Sequence, residues 1–76
     1  MIELAEIRRR AGMTQVELAA VLGVGQAQVS KIERQSDMLL STLASYLAAL
    51  GVDAELVVKT GDGTVTCDLT ADGQAR

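Results

Sequence analysis

The amino-acid sequence predicts a mainly α fold, four helices followed by a C-terminal β-hairpin. Three observations carry this. Apolar residues recur at helical spacing through the first fifty residues. After Gly51 the apolar period drops from about 3.6 residues to 2. A "GDG" at Gly61 to Gly63 then separates two alternating segments, as a hairpin requires.

Leu4, Ile7 and Ala11 fall at i, i+3 and i+7 and share one face of a first helix that stops at Gly12. Thr14 is placed to cap a second helix, with Glu17 three residues on as its reciprocal partner. Leu18, Ala19 and Leu22 line the inner face of that helix, and Gly23 suits the left-handed residue just past its end. A third helix spans about Gly25 to Gln35, with Val29 and Ile32 inward. The fourth runs from about Ser41 to Leu50, where Leu43, Leu47 and Leu50 repeat at i, i+4 and i+7, and Gly51 closes it.

In "VDAELVVKT", Ala54, Leu56 and Val58 alternate with Glu55, Val57 and Lys59. "GDG" is expected to supply positive-φ residues for the turn. "TVTCDL" resumes the alternation, with Val65, Cys67 and Leu69 on one face. Cys67 is expected there as a small buried hydrophobe. The closing "TADGQAR" has no apolar pattern and is expected to fray. The chain thus divides into helices over 1–51, a hairpin over 52–70 and a flexible tail over 71–76.

Seventy-six residues make one small domain. A chain of this size buries only about 60% of the surface it exposes when unfolded, so a second copy would enlarge its core. Apolar residues make up 49% of the chain without any Phe or Trp, so the core must be aliphatic. Tyr46, the only aromatic, is expected to pack with its hydroxyl at the surface. A single cysteine excludes an intrachain disulfide and a cysteine metal cluster, and the lack of histidine removes the commonest general base. With no phosphate loop either, the residues imply neither an enzyme nor a cofactor. No apolar run has the length of a signal peptide or of a membrane span, so a cytoplasmic protein without a membrane partner is expected.

Two helices crossing at a tight turn need particular residues at fixed places. Ala19 must be small because the next helix packs against it, Gly23 makes the turn, and Leu18, Val29 and Ile32 lock the pair to the core. "TQVELAAVLGVGQAQVSKIE" meets all of these requirements and resembles the Cro/repressor (XRE-type) helix-turn-helix family, with matching four-helix context over about Leu4 to Gly51. The resemblance implies a four-helix repressor-like helix-turn-helix DNA-binding domain over 1–51. One departure follows Glu33, where "RQSDM" lacks the glycine or asparagine that often ends the recognition helix, so the next loop is expected to run differently.

In such proteins the second helix of the motif lies in the major groove of double-stranded DNA and presents its N-terminal residues to base edges. Here it offers Gly25, Gln26, Ala27, Gln28 and Lys31. Gln26 is placed to read an adenine edge, Lys31 to reach guanine O6/N7, and Ala27 to touch a thymine methyl. Gln28 is expected at a phosphate or the groove wall. The resemblance gives Gln15 a phosphate bond and the bracing of Gln26. Ser30 joins the set without an assigned partner, and Arg34 is expected at a phosphate. Arg8, Arg9 and Arg10 read equally as a solvated run or as contacts to the flanking backbone. Glu33 is expected to pair with a basic residue of the motif, Arg9 or Arg10.

The formal charge of −3 does not exclude DNA, because DNA responds to the local field. Residues 1–35 hold five basic groups against four acidic ones, whereas 36–76 hold two against six. The acidic half calls for another explanation, and a basic protein partner is one.

"VDAELVVKT" following "LAALG" resembles the C-terminal extension of HigA- and HipB-type antitoxins. That resemblance implies a homodimer with strands of two subunits in a shared sheet, and Leu56, Val58, Val65 and Leu69 are the expected dimerisation residues. It also implies an antitoxin of a type II toxin–antitoxin operon that represses that operon at a palindromic operator and binds a basic toxin. Relatives of this class often carry further residues ahead of "LAEIRR", so a shortened chain and a short family member both stand open. Two other functions stay open: a stand-alone phage-type repressor or restriction-system controller, and a protein-interaction module whose motif is vestigial. Gln15, Gln26 and Lys31 weigh against the last, since a vestigial motif need not keep polar groups of groove-reaching length.

Overall fold

The computed structural model describes residues 3–70. The expected tail over 71–76 lies outside them. Four helices come first, α1 (Leu4–Arg10), α2 (Gln15–Leu22), α3 (Gln26–Arg34) and α4 (Leu40–Ala49). An antiparallel hairpin of β1 (Glu55–Thr60) and β2 (Gly63–Asp68) follows. None of the described helices is long and apolar enough to cross a membrane.

Helices this short do not persist alone in water, so tertiary packing must hold them. Their shared core is Leu4 from α1, Leu18 and Ala19 from α2, Val29 and Ile32 from α3, and Tyr46, Leu47 and Leu50 from α4 and its end. Each large side chain buried there contributes on the order of 1.5–3 kcal/mol. Met13, Leu22, Met38 and Leu43 pack around this cluster while partly exposed.

Local chemistry fixes where the helices begin and end. At α2 the Thr14 hydroxyl accepts from the Glu17 amide at 3.1 Å, while the Glu17 carboxylate accepts from the Thr14 amide at 2.9 Å. Two otherwise unpaired donors are satisfied together. At the other end Gly23 turns left-handed, at φ 74°. Its amide donates to Ala20 at 3.3 Å and the Val24 amide donates to Ala19 at 3.0 Å. This closure redirects the chain sharply enough to lay α3 across α2. Gly12 and Gly51 end α1 and α4 with the same pair of bonds. The third helix ends otherwise, as the missing glycine foretold: Gln35 leaves α3 directly into extended backbone, at φ −75° and ψ 140°.

Three expectations need correction. Tyr46 is fully buried, hydroxyl included, because the hydroxyl finds its partners inside, at the Leu4 carbonyl of α1 and the Glu33 carboxylate of α3. The hairpin turn uses no positive-φ residue; the Thr60 hydroxyl closes it instead, lying 2.9 Å from Asp62 Oδ1 and 3.1 Å from the Gly63 carbonyl. Cys67 is exposed. It pairs with Leu56 in register, next to the Val58–Val65 pair, on a sheet face that none of the described helices covers.

Candidate functional site

On α3, Val29 and Ile32 face the core, which turns the opposite side outward. Ala27, Lys31 and Arg34 recur at i, i+4 and i+7 along that exposed side. Gln26 and Gln28 flank them at the N-terminal end, also exposed, and Gly25 is the N-cap. Ser30 is half-buried. Six of the expected contact residues thus lie on α3, with Gly25 at its N-cap and Gln15 beside them at the start of α2.

Gln15 is half-buried and held from both sides. Its Oε1 accepts from Gln26 Nε2 at 3.2 Å, and its Nε2 donates to Glu33 Oε1 at 2.9 Å. Glu33 is the hub. Arg8 donates from Nε to Glu33 Oε2 at 2.7 Å and from a terminal nitrogen to Oε1 at 3.4 Å. The Tyr46 hydroxyl lies 2.5 Å from Oε2, nearer than the Leu4 carbonyl at 3.2 Å. The Arg8 and Glu33 side chains are only 10% and 7% exposed, so this pair is largely shielded from water. Arg8 also donates to the Met13 carbonyl at 3.0 Å, tying α1 to the loop ahead of α2.

Burial alone would push the Glu33 carboxyl up, but hydrogen bonds from Arg8, Tyr46 and Gln15 outweigh it and hold the carboxyl below its usual range. Burial and then the neighbouring carboxylate raise the Tyr46 hydroxyl, which stays protonated and donating. The bond to Glu33 raises Arg8 in turn. The site therefore rests on a charged, fully bonded pair.

Here the arginine run separates. Glu33 pairs with Arg8, not with the expected Arg9 or Arg10, because Arg8 sits one turn from Leu4 on the buried face of α1. Arg9 and Arg10 point outward and meet Glu6 at 3.6 and 2.9 Å. The i, i+4 relation to Leu4 was the available signal. Tyr46 left no comparable one, since its hydroxyl partner stands on another helix.

A shallow recess of about 510 Å³ runs beside the Gln15–Gln26 contact, lined by Arg9, Thr14, Val16 and both glutamines among others. Away from it, Leu56, Val58 and Val65 stand on one face of the hairpin, 40%, 46% and 55% exposed. Leu69, half-buried, donates its amide to the Ala54 carbonyl at 2.9 Å and prolongs the ladder.

A family model described as Helix-turn-helix matches residues 4–57. Two Mycobacterium tuberculosis proteins are similar along most of the chain. The proposed antitoxin HigA3 is 46% identical over 71 residues, covering 90% of this chain and 63% of its own length. The proposed antitoxin HigA2 is 37% identical over 65 residues, covering 83% and 64%. The chain therefore spans slightly less than two thirds of these relatives. Among solved structures, "DNA bound antitoxin HigA3" superposes with a TM-score of 0.77 at 44% identity, covering 93% of this chain and 92% of that one. "Induced DNA bending by unique dimerization of HigA antitoxin" superposes at 0.74 with the same identity and coverage.

Proposed function

The chain belongs to the helix-turn-helix family, and on that premise we propose that it is a dimeric, sequence-specific DNA-binding repressor acting in the cytoplasm as the antitoxin of a toxin–antitoxin pair. The observation that carries this is the exposed side of α3. A vestigial motif need not keep a row of long polar and basic side chains there, nor a bonded brace behind it.

In this reading α3 enters the major groove from its N-terminal end. Gln26 meets an adenine edge, Lys31 a guanine, and Ala27 a thymine methyl. Gly25 lets the backbone approach closely, while Gln28, Ser30 and Arg34 meet phosphates or the groove wall. Gln15 braces Gln26, and the recess beside them takes the sugar-phosphate backbone. Residues 1–51 form the DNA-binding unit, and the hairpin over 52–70 joins two copies through Leu56, Val58, Val65 and Leu69. Pairing would hold two recognition helices about 34 Å apart, the spacing of successive half-sites on one face of a palindromic operator. The acidic balance of residues 36–76 suits a basic toxin. The likeness to a DNA-bound antitoxin across almost the whole chain supports the same assignment.

The test has two arms. The full chain is titrated against DNA from upstream of its own coding sequence, and it is co-expressed with the product of the adjacent gene. Salt-sensitive, sequence-dependent binding together with a stable complex that relieves growth arrest is expected. Binding no tighter than to random DNA would refute the repressor, and a harmless, non-binding neighbour would refute the antitoxin.

A further inference from the structure

A carboxylate has acceptors only, with about four lone-pair sites. At Glu33 four donors occupy them: Nε and a terminal nitrogen of Arg8, the Tyr46 hydroxyl and Gln15 Nε2. The side chain is 7% exposed, so water cannot readily substitute for a donor. This fixes the orientation of Gln15. Turned the other way, its amide would press an oxygen against a carboxylate.

The consequence passes outward. With Nε2 held on Glu33, Gln15 turns Oε1 toward Gln26, which donates to it from its own Nε2 at 3.2 Å. That bond uses one of the two hydrogens on Gln26 Nε2. What faces outward is then one acceptor and one donor. In the major groove adenine offers one donor, N6, and one acceptor, N7, whereas guanine offers two acceptors, N7 and O6. A glutamine with one hydrogen already committed matches adenine, whereas against guanine it can donate to one acceptor only and sets its Oε1 against the other.

We infer that Glu33 is a specificity-determining positioning residue: through Gln15 it fixes the donor–acceptor polarity of Gln26 and so sets adenine over guanine at one base pair of each half-site. This rests on the reading of α3 as the groove-reading helix. Glu33 touches no base; it acts through two amides, and its negative charge gives the relay its direction.

The test compares affinities of the full chain for two duplexes. One is selected by the wild-type chain from a randomised pool. The other differs only by guanine in place of the adenine whose preference the Gln26→Ala variant loses. Wild type is expected to favour adenine by on the order of tenfold or more. Gln15→Met keeps length but cannot relay, and it leaves Arg8, Glu33 and Tyr46 bonded, so the fold is retained and the ratio falls toward unity. In Glu33→Gln the amide can donate to Gln15, which reverses the relay and frees both hydrogens of Gln26. The ratio then moves toward guanine by more than in Gln15→Met. A merely structural role for Glu33 would lower both affinities alike and leave the ratio unchanged. Wild-type ratios in both variants would overturn the inference. If Gln26→Ala also kept the wild-type ratio at every position, α3 would not be reading bases there, and the underlying proposal would fall as well.

Discussion

Arg8 Nε stands 2.7 Å from Glu33 Oε2, joining the buried face of α1 to the last turn of α3. This pair links the helix that stays outside the groove to the helix proposed to enter it. Removing one partner leaves a shielded charge without its counter-ion, which costs about 3–5 kcal/mol in well-buried cases. Arg8→Ala is therefore expected to destabilise the chain by several times more than Arg9→Ala, since Arg9 meets Glu6 across 3.6 Å in solvent. Urea unfolding of the two variants checks this, and equal midpoints would contradict it.

The same carboxylate makes stability depend on acid. Its folded pKa lies below the ordinary value, so the folded state binds that proton less readily than the unfolded chain. The stability it contributes is fully present above the ordinary carboxylate range and is lost as pH falls through the depressed folded pKa. Glu33→Gln is expected to lower stability at neutral pH and to flatten its decline toward acid. Unfolding free energies measured from neutral to strongly acid solution would show parallel curves if Glu33 were not the titrating group.

Tyr46→Phe keeps the ring and removes one of the four donors to Glu33. A buried carboxylate losing one such bond costs about 1–3 kcal/mol, less than losing Arg8. The raised hydroxyl pKa adds a second signature. Its contribution is complete below the ordinary tyrosine pKa and is lost as pH rises through the folded one, so Tyr46→Phe should soften the alkaline limb.

Element order was legible because each signal is local. Thr14 and Glu17 lie three residues apart and cap each other, and Gly23 marks the turn within a residue. The exposed side of α3 followed from the inward pair Val29 and Ile32. The bonds behind the site were legible only in part. An ion pair for Glu33 and the Gln15–Gln26 brace were expected, but not the choice of Arg8 or the Tyr46 bond, because Arg8, Glu33 and Tyr46 come from three helices and meet only after packing. The face Cys67 occupies was read correctly, but its burial was not. Period 2 tells which residues share a face, not whether anything covers it.

A two-stranded hairpin exposing Leu56, Val58 and Val65 is marginal by itself, and a second copy would cover it. Val58→Asp is expected to move the chain from dimer toward monomer by sedimentation, while the helical unfolding transition stays in place. A Val58→Asp chain that remained dimeric would put the interface on the helices.

Arg34 is proposed to meet a phosphate, a contact that would carry no sequence information. Arg34→Ala is expected to weaken cognate and random duplexes by the same factor. It should also reduce the slope of log affinity against log salt by about one per subunit. A loss confined to the cognate duplex would make Arg34 a base contact instead.

The central claim is that α3 reads DNA through Gln26, and an affinity titration of wild type and Gln26→Ala against the cognate duplex tests it most directly. The expected result is a loss of about 1–3 kcal/mol with preference relaxed at one base pair per half-site, the variant melting as wild type does because Gln26 is exposed. Unchanged affinity and unchanged preference at every position would contradict it.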